Sequence, residues 1–196
     1  MRSVDPVLGG RLGTLGATMG HKHTKDELLA GALATAFDDG LSQVTFGRVA
    51  KRLGISDRTV VYYFPTKDEL IAEIIGSMGA QLQVALADAF ATPAGDHLEL
   101  TAAAWPVLAR DDVDPVFALF FEANGLAATG REPYRTLVPQ LVEAWITWAA
   151  GFVEGPPERQ RTEALASIAL IDGLLLVRQL AGPDAAEQAA RRLGVA

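Results

Sequence analysis

The segment Val44–Leu70, VTFGRVAKRLGISDRTVVYYFPTKDEL, leaves the chain few ways to fold. Phe46, Val49, Ala50 and Leu53 recur at helical spacing and mark one buried face, with Arg48, Lys51 and Arg52 on the others. Thr45 is a good N-cap for this short helix. Gly54 closes it, because a residue tolerant of positive φ turns the chain sharply there. A second short helix opens with Ser56 as N-cap. Ile55, Val60 and Phe64 point inward, which leaves Asp57, Arg58, Val61 and Tyr62 outward and Thr59 and Tyr63 at the margins. Pro65 stops it, since the residue before proline avoids the α region. Ala50 is small where the two helices must cross. The pattern is a helix-turn-helix, and it predicts that Ser56–Tyr63 reads the major groove of DNA.

Charge agrees with that placement once it is split along the chain. The net charge of −7 argues against a nucleic-acid partner. Through Lys67, however, nine Lys and Arg face six Asp and Glu, about +3, and the remainder carries −10. Phosphate attracts the first part and is repelled by the second.

The flanks read as helix throughout. Residues 1–23 are rich in glycine and small residues, and a disordered arm is expected there. Met19 within it is a second candidate start. His21, Lys22 and His23 offer phosphate contacts or a solvated tail. Thr24-Lys25-Asp26-Glu27 is a capping-box pattern, followed by the stripe Leu28, Leu29, Ala32, Leu33, Ala36, Phe37 and a stop at Gly40 in the left-handed C′ position. A second box, Thr66 to Glu69, opens a helix expected to run to about Phe90, roughly 36 Å. After the break at Thr92–Gly95, helical segments are expected over 97–110, 115–129, 133–154, 156–180 and 183–193, with kinks at Pro106 and Pro139. No cysteine is present, which excludes disulfides and cysteine-based metal sites. No apolar run approaches the ~20 residues of a membrane span, the nearest being Ala164–Val177 with Asp172 inside it. A cytoplasmic protein with no membrane association is the expectation.

The combined pattern T-x-x-x-V-A-x-x-L-G-I-S-x-x-T-V-x-x-Y-F-P-T-K-x-E-L resembles the tetracycline-repressor (TetR) family of bacterial transcription regulators. The resemblance covers Thr24 to about Ile75, with Ala50, Gly54, Ser56, Thr59, Phe64, Lys67 and Leu70 in the family's spacing. It implies an all-α fold of about nine helices. A head over 24–70 would be joined by a long helix to a ligand-binding and dimerisation body over 71–196. It implies DNA contacts at Thr45, Arg48, Ser56, Asp57, Arg58, Thr59, Tyr62, Tyr63 and Lys67. Val61 departs where tyrosine is usual, and Gly47 where a polar residue is frequent. Asp57 suits a cytosine amino group or caps its helix.

The body is less specific. Trp105, Phe117, Phe120, Phe121, Trp145 and Trp148 are either core or the wall of a pocket, with Asn124, Gln140 and Asp172 as polar anchors. Ala164–Leu180 is apolar on nearly every face and needs partners on all sides. The resemblance places the dimer interface on the last long helices, near Leu165, Ile168, Ile171, Leu175 and Val177. The function implied is a homodimeric repressor that leaves a pseudo-palindromic double-stranded DNA operator when a small, mainly apolar effector binds. Two rivals are a small-molecule enzyme and a ligand-independent DNA-binding adaptor. The enzyme finds no support in a nucleophile–base pair, a metal cluster or a glycine-rich loop. His97 is the one histidine outside the arm. No cofactor and no metal are expected.

Overall fold

Thr24 opens the first helix, α1 (Lys25–Asp39), with both halves of a capping box: its Oγ1 accepts from Glu27 N–H (3.2 Å) and the Glu27 carboxylate accepts from Thr24 N–H (3.0 Å). This computed structural model describes residues 23–196. The arm expected before them, with His21 and Lys22, lies outside the described residues. Gly40 ends α1 at φ 89, ψ 157. That is not the left-handed cap expected of it, although a positive φ still favours glycine. The chain then makes a 3-10 turn, Leu41–Gln43, which the sequence pattern does not announce.

The next two helices follow their caps. Thr45 Oγ1 accepts from Arg48 N–H (3.2 Å) at the start of α2 (Phe46–Leu53), and Gly54 ends it in the left-handed conformation, φ 67, ψ 32. Helix α3 (Asp57–Tyr63) starts at Ser56, whose side chain makes no cap bond and meets the Thr59 hydroxyl at 3.1 Å instead. Val49, Ala50, Val60 and Phe64 are buried, as the periodicity requires. The tightest crossing lies elsewhere than at Ala50. A Cβ at Gly31 of α1 would stand 2.8 Å from three Leu53 side-chain carbons, so α1 and α2 meet through the missing side chain of Gly31.

Helix α4 (Lys67–Ala87) starts where Thr66 accepts from Glu69 N–H (3.1 Å). It ends at Ala87 rather than near Phe90, about 31 Å along its axis. Beyond it lie α5 (His97–Leu108), α6 (Asp114–Ala128), α7 (Tyr134–Ala150), α8 (Pro157–Ala181) and α9 (Pro183–Leu193). Asp96 caps α5 twice, accepting from Leu98 and Glu99 N–H at 2.9 and 3.0 Å. Helices α5 and α7 run on through Pro106 and Pro139. Helix α7 stops four residues before the expected Glu154, where Val153 instead forms a parallel bridge with Ala94. Nine α-helices and no strand are present among the described residues, the all-α architecture the sequence implies.

Polar side chains tie the body together. Arg178 of α8 donates to Asp114 (2.5 and 3.0 Å) and Asp111 (2.6 Å), holding the start of α6. Trp105 Nε1 donates to Glu187 of α9 (3.0 Å). His97 Nδ1 lies 2.7 Å from Glu163, so this histidine serves as a tie between α5 and α8.

Two helices are more apolar than uninterrupted runs suggest. Helices α4 and α8 contain windows of mean hydropathy 1.5 and 1.7, long and apolar enough by composition to cross a membrane. Here Leu70, Ile71, Ile74, Ile75 and Met78 of α4, and Ala164, Leu174 and Leu175 of α8, pack into the interior.

Head and body share one core. Leu28, Val49, Val60 and Ile74 cluster with Leu119 and Ala123 of α6 and Tyr134 and Val138 of α7. A charged contact reinforces the junction. The Glu122 carboxylate on α6 accepts from the backbone N–H groups of Leu41 (2.8 Å) and Ser42 (2.9 Å), the opening of the 3-10 turn. Hydrogen bonds to a charged acceptor are worth more than neutral ones. Glu122→Ala should lower unfolding stability by about 2 kcal/mol. It should also speed amide exchange at Leu41 and Ser42 before other head amides, as read by hydrogen-exchange NMR.

Candidate nucleic-acid interface and ligand cavity

Helix α3 presents its outer face because Val60 and Phe64 are fully committed to the core. Asp57, Arg58, Val61 and Tyr62 are exposed, Tyr62 at 78%. Arg58 and Lys67 form no hydrogen bond or ion pair among the described residues, so both cations face outward uncompensated. Lys67 occupies the first turn of α4, one residue after Thr66.

The other predicted residues are more constrained. Arg48 pairs with Asp39 (3.2 Å) across the end of α1, both half exposed. Arg52 binds Asp38 and the Thr35 hydroxyl (3.1 Å). The Thr45 hydroxyl accepts an N–H at the start of α2. Ser56 and Thr59 share one hydrogen bond. Tyr63 is half-buried, and its hydroxyl donates to the His23 carbonyl (2.7 Å), tying the start of the described chain to α3. That bond spends the Tyr63 donor inside the head, whereas Tyr62 keeps its own free. Asp57 lies beside Gly47: a Cβ there would sit 3.4 Å from its carboxylate, at ordinary van der Waals contact.

A second feature lies in the body. Helices α4, α5, α6, α7 and α8 enclose a cavity of about 970 Å³, counting the part open to solvent at its mouth. Of the residues proposed for a pocket, Phe117, Phe120, Trp145, Trp148 and Asp172 are on its wall. Trp105, Phe121, Asn124 and Gln140 are not. Trp105 is buried against α9, and Phe121 packs beside Phe117 and Phe120. Gln140 faces out along a shallow groove with Glu143 and Thr147. The wall also includes residues the sequence reading missed, among them Leu41, Met78, Leu82 and Phe90. The apolar stripe of α4 is their signal, but it does not distinguish core from cavity.

The α8 residues divide by helical phase. Ile168 and Ile171, expected at a subunit interface, line the cavity, and Leu175 is 1% exposed in the core. A 3.6-residue period turns these positions inward when Ala164, Ser167 and Leu174 are buried. Leu165 and Val177 do face solvent. They form one exposed stripe with Ala169, Gly173, Leu176 and Leu180.

Asp172 is the one titratable side chain on the cavity wall. Burial raises its carboxyl from 3.8 to about 6. The folded chain therefore holds a proton that the unfolded chain has released. The associated stability is present below the unfolded value of 3.8 and is lost as pH rises through about 6. Asp172→Asn should match the wild type near pH 4. It should be more stable by about 3 kcal/mol above pH 7, in urea unfolding followed across that range.

Known proteins bear on both features. Residues 28–74 match the family model of bacterial regulatory proteins, tetR family. No curated protein matches the sequence. Among solved structures, a transcriptional regulator from Rhodococcus sp. Rha1 superposes with TM-score 0.68 at 24% identity, over 87% of this chain and 94% of its own. A TetR transcriptional regulator from Legionella pneumophila gives 0.59 at 22%, over 89% and 96%. The multidrug binding protein EbrR, solved with imidazole, gives 0.63 at 21%, over 93% and 97%. At these identities the likeness establishes the fold.

Proposed function

We propose that this chain is a DNA-binding transcriptional regulator of the tetR family, a homodimeric repressor released from its operator by a small, mainly apolar effector; the match of its head to the tetR family model supports this. The observation that carries this reading is the pairing of two outward cations, Arg58 on α3 and Lys67 on α4, with an apolar cavity that touches the head. Leu41 and Ile75 lie on the cavity wall and in the shared core at once. The structural neighbour EbrR is a multidrug binding protein solved with small molecules, which agrees with an effector in the body.

Two heads of a dimer would enter successive major grooves of a pseudo-palindromic operator, about 34–36 Å apart. Arg58 would reach a guanine edge, with Tyr62, Lys67 and Thr45 on phosphates. Ser56, Thr59 and Asp57 open the same helix, and Asp57 suits a cytosine amino group. Arg48 would exchange Asp39 for phosphate, and the Tyr63 hydroxyl could only accept while it holds His23. Such a protein works in the cytoplasm, where its DNA is.

An effector shifts this equilibrium only if it binds one head arrangement better than the other. The cavity supplies a route for that difference. A ligand that displaces Phe117 or Leu119 moves α6, which carries Glu122 and so the turn after α1. Helix α4 acts beside it as a lever, since Ile75, Met78, Leu82 and Leu86 all face the same space.

The DNA reading is tested on fragments selected from a random duplex pool. Arg58→Ala should relax base preference at one position per half-site, by ~1–3 kcal/mol. Lys67→Ala should weaken all sequences alike and reduce the slope of log affinity against log salt by about 1 for each head. Unchanged affinity in both variants at moderate salt would refute the docking.

The dimer reading rests on the exposed α8 stripe of Leu165, Leu176 and Leu180, exposed by 50, 43 and 79%. Unpaired, it leaves large apolar side chains in water. Leu176→Glu with Leu180→Glu should give a monomer in sedimentation analysis and weaken operator binding at least tenfold. A dimer that survives both changes would move the interface elsewhere.

A further inference from the structure

The cavity wall carries one charge in an otherwise apolar lining. Asp172 makes no hydrogen bond or ion pair among the described residues, and burial is the one cause acting on its titration. The other aliphatic polar group on the wall, Ser167, is spent: its hydroxyl pairs with Thr101 at 2.9 Å. The carboxylate therefore has no partner among the described residues.

Aromatic side chains line the same cavity. Trp145 and Trp148 meet edge-to-face at 5.1 Å, Phe90 lies 5.5 Å from Trp148, and Phe117 and Phe120 meet at 6.2 Å. Aromatic faces attract cations, most strongly where water is excluded. An unpaired buried carboxylate is costly and is relieved by a positive partner.

We propose that the effector is an amphiphilic monocation, an apolar or aromatic body bearing one ammonium group, whose charge pairs with Asp172 inside the aromatic wall. This rests on the reading of the cavity as the effector site and names the class of molecule it takes. A neutral effector would leave Asp172 without a counter-charge. An anionic one would be repelled by it.

Three probes that share one body isolate the charge: 4-phenylbutyltrimethylammonium, its uncharged carbon isostere 5,5-dimethylhexylbenzene, and the anion 5-phenylpentanoate. Each is titrated at pH 7.5 into the full chain and into Asp172→Asn. Tryptophan fluorescence and the shift in melting temperature are the readouts. The ratio of ammonium to isostere affinity should fall at least tenfold in Asp172→Asn. The isostere, which reports an intact cavity, should change less than threefold. The carboxylate should bind the wild type at least tenfold more weakly than the ammonium.

A ratio that Asp172→Asn leaves unchanged, with the isostere still binding, overturns the cation assignment and spares the cavity as an effector site. Tighter binding of the anion than of the ammonium overturns it in the same way. If no probe binds either protein, the effector-site reading falls, and this inference with it.

Discussion

The junction between head and body is the constraint on which the remaining structure depends. A head of three short helices cannot bury a large core alone, since small units keep most of their surface wet. Here it closes its core on Leu119, Ala123, Tyr134 and Val138 of the body. Glu122 adds a charged grip on the turn between α1 and α2. The consequence is mechanical: α6 cannot move without disturbing the base of the helix-turn-helix. The same helix lines the cavity through Val116, Phe117, Leu119, Phe120 and Ala123. A short, packed path thus joins the cavity wall to the helix-turn-helix.

The cavity and the outer stripe of α8 are two answers to one compositional problem. Helix α8 is apolar on most of its circumference, and a helix of that kind must hide every face. One face is hidden in the core by Leu174 and Leu175, and another opens on the cavity through Ile168 and Ile171. The third, with Leu165, Leu176 and Leu180, has no partner among the described residues. Arg178 and Asp172 sit on the inner side of the same helix with opposite fates. Arg178 is neutralised by two aspartates, while Asp172 is left for something else to satisfy.

Electrostatics also shape the head. The acidic pair Asp38 and Asp39 at the end of α1 holds Arg48 and Arg52, leaving Lys51, Arg58 and Lys67 as cations without a partner among the described residues. A sequence count of basic residues treats the five alike. The fold separates two that stabilise the head from three that present charge outward.

The local signals in the sequence were sufficient for much of this. Caps at Thr24, Thr45 and Thr66 and the stops at Gly54 and Pro65 act within one or two turns, so the helices of the head follow from neighbours along the chain. The inward set Val60 and Phe64 and the outward set Arg58 and Tyr62 follow from period alone. What tertiary structure decided depends on distant residues and on absolute helix phase. Periodicity names an apolar face without saying whether it meets core, cavity or another subunit. For this reason Ile168, Ile171 and Leu175 turned inward, and Trp105 and Phe121 fell outside the wall. Gly31 against Leu53, Tyr63 against His23 and Glu122 against Leu41 are contacts between segments 22, 40 and 81 residues apart. No local preference encodes them, because each exists only when packing brings its two halves together.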